Sequence, residues 1–334
     1  MNRLRIAVVG AGSMGALHAR SIASSDRAQL THVVDVDRGR ASDIAARHGA
    51  VGLGPAADLD ADAVVVAAPT ALHVDLATEL LERGIPVLVE KPLAPDSAGV
   101  RRIITAARST DTPVMCGFVE RFNPVVVTAA EMIDEPFVHW VSVRHSPPAG
   151  RPTSHVATDL LIHDVDLALR MHGTNPIELL PDLDGFRMPT VTGAVGRPGD
   201  PLSGEVADCT IVMDDGAVAT MSASRIGQRK VREVRVMTAS ALYELDLLRH
   251  DITIYRHVHH GPGLRDASYR SETVIEVPFV RAHQEPLASQ LDHFIDLARG
   301  DADPLAEIAG MWMPHQLMDE LCGPMPQPEL EVIP

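Results

Sequence analysis

Lysine is almost missing from this 334-residue chain. Lys91 and Lys230 are the only two, and the remaining positive charge is arginine. An ammonium can lose its proton when buried, whereas a guanidinium effectively cannot, so both surviving lysines invite a chemical reading. Positive charge as a whole is outweighed, with 29 Lys and Arg against 45 Asp and Glu and a net charge of −16. That balance argues against nucleic acid, whose binding rests on Lys and Arg contacts to phosphates, and against anionic membranes. Cysteine is scarce: Cys116, Cys209 and Cys322 lie far apart with no paired spacing. They read as small core residues in a reducing, cytoplasmic setting. No stretch approaches the roughly 18 consecutive apolar residues of a membrane helix. The first residues run straight into a strand-like segment with no apolar leader, so no signal peptide is expected.

What is present is an alternating pattern on a chain long enough for two domains of roughly 100–200 residues each. Strand-like runs at 5–9, 30–36, 63–68, 86–90 and 113–117 alternate with helix-like spacing at 14–23, 38–48, 71–83 and 97–108. Gly84 is a good C-terminal stop, and Asp96 or Ser97 a good N-cap. This rhythm predicts a parallel sheet with helices on both faces. It changes near Asn123-Pro124. Beyond lie a helix at 125–133, a strand at 137–144, a loop rich in Pro and Gly at 146–152 and a helix at 156–171. Mostly strands follow to 277, including 206–213, 218–224, 231–237 and 241–245, with Asp214-Asp215-Gly216 as a hairpin turn. Two helices at 285–298 and 304–321 and a Pro-rich tail close the chain. The expected architecture is an α/β Rossmann domain over 1–122, then an α+β domain with an open, mainly antiparallel sheet over 123–334.

Gly10-Ala11-Gly12-Ser13-Met14-Gly15 is a G-x-G-x-x-G placed between a strand and a helix. The first glycine makes a tight turn, the second admits a pyrophosphate to the backbone, and the third lets helix and strand pack closely. The helix N-terminus supports the negative charge. Asp35 ends the second strand, where a carboxylate accepts ribose hydroxyls and repels a 2′-phosphate. This predicts NAD as cofactor. Arg38 nearby keeps NADP open as the alternative.

Glu90-Lys91-Pro92 ends a parallel strand, and ligands bind outside the carboxyl ends of such strands. Lys91 therefore reads either as a proton shuttle or as a surface lysine. Asp159 and His163 are four apart, which places them on one helix face. A carboxylate beside an imidazole makes it a better base, but an ordinary polar contact has the same spacing. His155 extends the set toward a metal site, yet no second ligand cluster supports one and no metal is expected. His257, His259 and His260 read as a polar surface loop before Gly261.

Taken together, the glycine motif, Glu90-Lys91-Pro92, Asp159 with His163, and Pro69-Thr70-Ala71-Leu72-His73 resemble the glucose–fructose oxidoreductase / inositol dehydrogenase (Gfo/Idh/MocA) family. Residues 117–124 (Gly-Phe-Val-Glu-Arg-Phe-Asn-Pro) and 159–167 resemble the branch with UDP-N-acetylglucosamine 3-dehydrogenase-like members. The likeness is dense over 6–166 and thin after 240. It implies an NAD(P)-dependent sugar dehydrogenase or ketoreductase, and homodimers or homotetramers built through the second sheet. It implies that Lys91, Asp159 and His163 surround the reacting carbon. His163 would accept the hydroxyl proton, Lys91 would bond the same oxygen, and Asp159 would orient His163 or bond a neighbouring hydroxyl. Which of Lys91 and His163 is the principal base stays open. The resemblance also implies that Pro69, Thr70, His73 and Glu90 join Lys91 at the cofactor, and that Arg121 and Asn123 face the substrate. One departure is Thr153 to Thr158, where many members carry a Gly-Gly pair, so the substrate loop is this chain's own.

Arg225, Arg229, Lys230 and Arg232 form the one dense basic stretch. It reads as a grip on the diphosphate of a nucleotide sugar, or as a solvated sheet edge protected by charge. A cyclitol or aminocyclitol substrate would not need it. A dinucleotide-binding regulator without turnover is the alternative from another class, and would have no need of Lys91, Asp159 and His163 together.

Overall fold

The structure, a computed structural model, describes residues 2–54, 59–148, 155–173, 189–196, 205–260, 270–281 and 284–323. In chain order the first elements are β1 (Leu4–Val9), α1 (Ser13–Ser24), β2 (Ala28–Val34), α2 (Arg38–His48), β3 (Val51–Leu53), β4 (Ala63–Val66), α3 (His73–Glu82), β5 (Val87–Val89), α4 (Ser97–Thr110) and β6 (Val114–Cys116). Then come α5 (Pro124–Met132), β7 (His139–His145), a π turn (Ala157–Leu161), α6 (Ile162–His172), β8 (Thr190–Val195), β9 (Val206–Val212), β10 (Val218–Ser224), β11 (Val231–Met237), β12 (Ala241–Asp246), β13 (Asp251–His260) and β14 (Arg270–Glu276). The chain's last two helices are α7 (Pro286–Arg299) and α8 (Pro304–Cys322). They divide between two compact units, one holding 2–119 with 284–323 and the other the described residues between 120 and 281.

The first unit is a six-stranded parallel sheet in the order β3-β2-β1-β4-β5-β6. Ala63, Val64, Val65 and Val66 of β4 are all 0% exposed, as a strand covered on both faces must be. Asp37 caps α2 by accepting from Gly39 N and Arg40 N, and Asp96 caps α4 by accepting from Gly99 N. The order reverses between β1 and β4, which puts the glycine motif after β1 at the switch point of the sheet.

The compact units depart from the 1–122 and 123–334 division at the C-terminus. Helix α7 packs on α1, and α8 packs on α4 and β6. Arg27 pairs with Asp292 and Asp296 of α7, and His315 of α8 accepts from Leu93 N at 2.8 Å. These helices complete the first sheet's cover, a partnership their local sequence pattern does not reveal.

The second unit is an eight-stranded sheet, β14-β13-β12-β11-β7-β10-β9-β8. All its neighbours are antiparallel except β7 and β10, which run parallel. Gly216, at φ +90°, makes the turn between β9 and β10. The helix expected at 156–171 begins instead with the π turn, in which Ile162 N–H reaches back to Ala157 O. The histidines expected in a loop lie in β13, whose residues 257, 259 and 260 register with Thr273, Ser271 and Arg270 of β14. Most of the 146–152 loop, Gly261 and the tail after 323 lie outside the described residues. Among the described residues, no helix is long and apolar enough to cross a membrane. No cluster of three or more His, Cys, Asp or Glu there could hold a metal ion. None of the three cysteines is disulfide-bonded, and Cys116 and Cys209 are buried.

Candidate functional site

The glycine motif has three distinct local environments. Gly10 sits at φ +103°, and a Cβ there would lie 2.4 Å from Ala67 O. A Cβ on Gly15 would lie 1.8 Å from Gly10 O, so the helix packs on the turn only without a side chain. A Cβ on Gly12 would meet nothing within 4 Å. Gly12 is the N-cap of α1 and offers no side-chain cap, and the first turn carries no acidic residue. Open backbone N–H groups at a helix start, with space above them, suit a pyrophosphate. Ser13 is exposed beside them and Met14 half-buried.

Asp35 lies just past β2 with its side chain 10% exposed. Its Oδ2 accepts from Ala11 N at 2.7 Å, and its Oδ1 accepts from Asp37 N at 2.8 Å and Arg40 Nη2 at 3.2 Å. The acid thus braces the glycine turn as well as ending the strand. The Arg38 guanidinium packs over Gly54, where a Cβ would come within 2.7 Å of its Nε. Arg40 is therefore the arginine on the Asp35 carboxylate, and Arg38 lies against Gly54.

Pro69 is exposed and Thr70 half-buried after β4. His73 and Glu90, expected at the cofactor, are instead committed inside the unit. His73 is 1% exposed, with Nδ1 at 3.0 Å from Pro92 O and Nε2 at 2.8 Å from Ala68 O. Burial pushes its pKa below the ordinary histidine value. Glu90 is 6% exposed, and its Oε1 lies 2.7 Å from His18 Nε2. Its Oε2 accepts from Lys91 N at 3.2 Å. Lys91 itself is half-buried at the end of β5, in the turn that this carboxylate supports.

In the second unit Asp159 lies in the π turn, and His163 in the first turn of α6 is 7% exposed. Asp159 Oδ2 accepts from Arg225 Nη1 at 3.1 Å, and Arg225 Nε donates to Glu205 Oε2 at 2.6 Å. π turns insert an extra residue into the helical ladder and recur at functional sites. Burial and the Arg225 charge push the pKa of His155 below its usual value.

Arg121 and Asn123, expected to face the substrate, are held in the interior. Arg121 grips Asp166 through Nε at 2.9 Å and Nη2 at 2.6 Å, both side chains nearly fully buried. Asn123 caps α5 through Oδ1 to Val125 N, and its Nδ2 donates to Glu120 Oε2 and Leu247 O. Arg121 is thus forked on a buried carboxylate, and both Asn123 amide N–H bonds are used within the unit. Neighbouring Arg144 donates twice to Asp164, at 2.8 and 3.0 Å, and once to Glu120 at 2.8 Å. Burial opposes the Glu120 charge, but Arg144 and Arg232 hold its pKa below the usual value. Of the basic stretch, Arg225 and Arg232 are thus paired internally, and Arg229 and Lys230 stand exposed between β10 and β11.

Residues 4–118 match the model of an oxidoreductase family with an NAD-binding Rossmann fold, Gfo/Idh/MocA. The chain is 26% identical to UDP-N-acetylglucosamine 3-dehydrogenase of Acidithiobacillus ferrooxidans over 89% of each chain. It resembles that protein's solved structure with a TM-score of 0.79 at 23% identity, covering 96% of this chain and 97% of that one. Inositol 2-dehydrogenase of Rhizobium meliloti matches at 29% identity over 53% of this chain and 57% of its own. A 3-ketoreductase of Actinomadura kijaniata, solved with NADP, shares the fold at a TM-score of 0.75 and 16% identity, over 96% and 97% of the two chains. Over residues 4–118 the chain therefore carries the NAD-binding Rossmann domain of the Gfo/Idh/MocA family, and it is an NAD(P)-dependent oxidoreductase.

Proposed function

We propose that the enzyme moves hydride between NAD(P) and a secondary alcohol or ketone of a sugar, with a nucleotide sugar as the leading substrate class. The observation that carries the cofactor half is the open backbone at Gly12 beside the close-packed Gly10 and Gly15. The near full-length relative that acts on a UDP-sugar supports the substrate half. Gly10, Gly12, Ser13, Met14 and Gly15 would hold the pyrophosphate, with Pro69 and Thr70 beside it. Asp35 would take the adenosine ribose. When bound, the nicotinamide supplies a hydride acceptor or donor. Lys91 and His163 are the proposed acid–base groups, taking up the hydroxyl proton on oxidation or protonating the ketone on reduction. Asp159 is the proposed orienting carboxylate. Asp35 favours NAD, and Arg38 and Arg40 offer partners to a 2′-phosphate, so the choice between NAD and NADP is read from the ratio of their Kd values.

A cyclitol is the second reading, favoured by one observation: Arg225 and Arg232 are already paired with carboxylates of the same unit. Of that stretch Lys230 and Arg229, the latter 3.7 Å from the Glu233 carboxylate, are the exposed cations left for a diphosphate. The test follows reduced nicotinamide by absorbance against UDP-sugars, free sugars, sugar phosphates and inositols. Turnover on a UDP-sugar that weakens when Arg229 and Lys230 become Gln supports the first reading. Turnover on inositols alone overturns it.

We further propose a cytoplasmic homodimer or homotetramer. Cross-strand partners Val212, Val218, His139, Met237, Leu242, Tyr255 and Ile275 form a row across the second sheet. Within it Val212, Met237 and Ile275 are 41%, 42% and 61% exposed. Three exposed apolar side chains along one row favour burial against a second copy. Sedimentation of the parent and of Met237→Glu tests it; a parent that runs as a monomer contradicts it.

A further inference from the structure

Three buried histidines converge on the four residues that flank and include Lys91. His18 on α1, His73 on α3 and His315 on α8 are 2%, 1% and 3% exposed. His18 meets the Glu90 carboxylate, His73 meets Pro92 O, and His315 Nε2 accepts from Leu93 N at 2.8 Å. His315 Nδ1 donates to Met311 O at 2.7 Å, which fixes its tautomer. Glu90 passes its support on to the backbone N–H of Lys91 itself.

Burying polar groups is unfavourable unless each is bonded, and a core that needed only filling would use apolar side chains. Here three different helices place an imidazole around one turn. His73 does more than the others. Its second nitrogen meets Ala68 O, in the segment whose neighbour Ala67 is closely approached by Gly10. The glycine turn, the loop after β4 and the turn after β5 are thereby linked in series through one side chain.

We infer that His73 is a positioning residue for Lys91, holding the turn after β5 in register with the loop after β4, with His18 and His315 fixing the same turn from two other helices. This inference rests on the proposed acid–base role of Lys91. Both nitrogens face carbonyl oxygens, so the neutral imidazole donates to one of them at a time and packs against the other, and substitution tells the two contacts apart. An asparagine amide falls near the Nδ1 position and keeps the link to Pro92 O. A glutamine amide falls near Nε2 and keeps the link to Ala68 O.

The test uses the scarcity of lysine. Selective 13C-lysine labelling gives two Cε signals from the full chain, since Lys91 and Lys230 are the only lysines. Lys91→Arg assigns them, and Lys230 serves as the internal reference. In His73→Gln the Lys91 signal is expected to shift or broaden while Lys230 stays in place, and in His73→Asn it stays near the parent position. Turnover of His73→Gln should fall by about tenfold to a hundredfold while NAD(P) affinity changes by less than about threefold. A Lys91 signal in His73→Gln that superimposes on the parent overturns the inference. So does equal impairment of the Asn and Gln variants, or a loss of dinucleotide affinity in step with turnover, which would make His73 a cofactor contact. If His73→Gln does not fold, His18→Asn, whose amide does not reach the Nε2 position, cuts the link through Glu90 and is read by the same two signals. The spectra need no substrate, so a wrong substrate assignment leaves the result readable. A shifted Lys91 signal with no change in turnover on an established substrate would instead remove Lys91 from the chemistry.

Discussion

Arg225 donates to Asp159 on one side and to Glu205 on the other, at 3.1 and 2.6 Å, so the guanidinium holds a proposed site carboxylate in place. Its side chain is 15% exposed, and Asp159 is 30% exposed. An arginine that gripped the substrate's diphosphate would act through substrate binding, whereas one that places Asp159 acts on turnover. Arg225→Lys keeps the charge and loses the fork. We expect kcat to fall by about tenfold with the substrate KM within about threefold of the parent. A raised KM with unchanged kcat would return Arg225 to the substrate.

Arg144, 2% exposed in its side chain, carries Asp164 and Glu120 at once. Removing it takes both fork bonds from the buried Asp164 and leaves Glu120 with Arg232 as its one paired cation. Arg144→Met should destabilise the chain by about 3–5 kcal/mol, the range for breaking a buried pair from one side. The denaturant midpoint measures it. NAD(P) affinity of the folded fraction should be unchanged, because the network lies wholly in the second unit.

The glycines of the motif should separate by mechanism. A Cβ at position 12 meets no atom within 4 Å, so the melting temperature of Gly12→Val without cofactor should stay close to the parent. It fills the space over the α1 N-terminus, and NAD(P) Kd should rise by about a hundredfold or more, roughly the loss of two to three good hydrogen bonds. Gly15→Ala must push against Gly10 O and should lower the melting temperature itself. Calorimetry of both variants with and without dinucleotide checks the split. Equal melting temperatures for the two apo variants would contradict it.

His73 gives the first unit a pH dependence. Burial lowers its folded-state pKa below the unfolded value of about 6.5, so the unfolded chain binds the proton more readily. Its contribution to stability is therefore complete above about pH 6.5 and is lost as the pH falls through the lowered pKa. His73→Asn has no proton to bind. Its melting temperature should decline less than the parent's between about pH 7.5 and pH 5. Parallel declines would mean that His73 does not titrate between the two states.

The first sheet was legible because its signals are local. Apolar runs such as 63–66, the stop at Gly84 and the N-cap at Asp96 need no distant partner to be read, and the glycine motif declares its own context. The short β3 has no such signal, since Val51–Leu53 has three residues and one of them is glycine. The Asp-Gly turn located the β9–β10 hairpin for the same local reason. Long-range partnerships left no such trace. Arg144 and Glu120 are 24 residues apart, Arg225 and Asp159 are 66 apart, and His315 and Leu93 are 222 apart. The resemblance points Arg121 and Asn123 to the substrate, and no local signal announces the buried partners Asp166, Glu120 and Leu247 that hold them. The internal partners of His73 and Glu90 are equally silent in the sequence, at 19 and 72 residues' separation. A clue to Glu90 was its position: a carboxylate directly after the apolar run 87–89 must find a buried partner, which His18 supplies.

Lys91→Ala is the most direct measurement of the chemistry, made on the folded variant with saturating NAD(P) and the substrate that turns over in the parent. Turnover should drop by about a hundredfold to ten-thousandfold, the contribution of a positioned acid–base group, while dinucleotide Kd stays within about threefold. Turnover within a few-fold of the parent would contradict the assignment of Lys91 to the reacting centre.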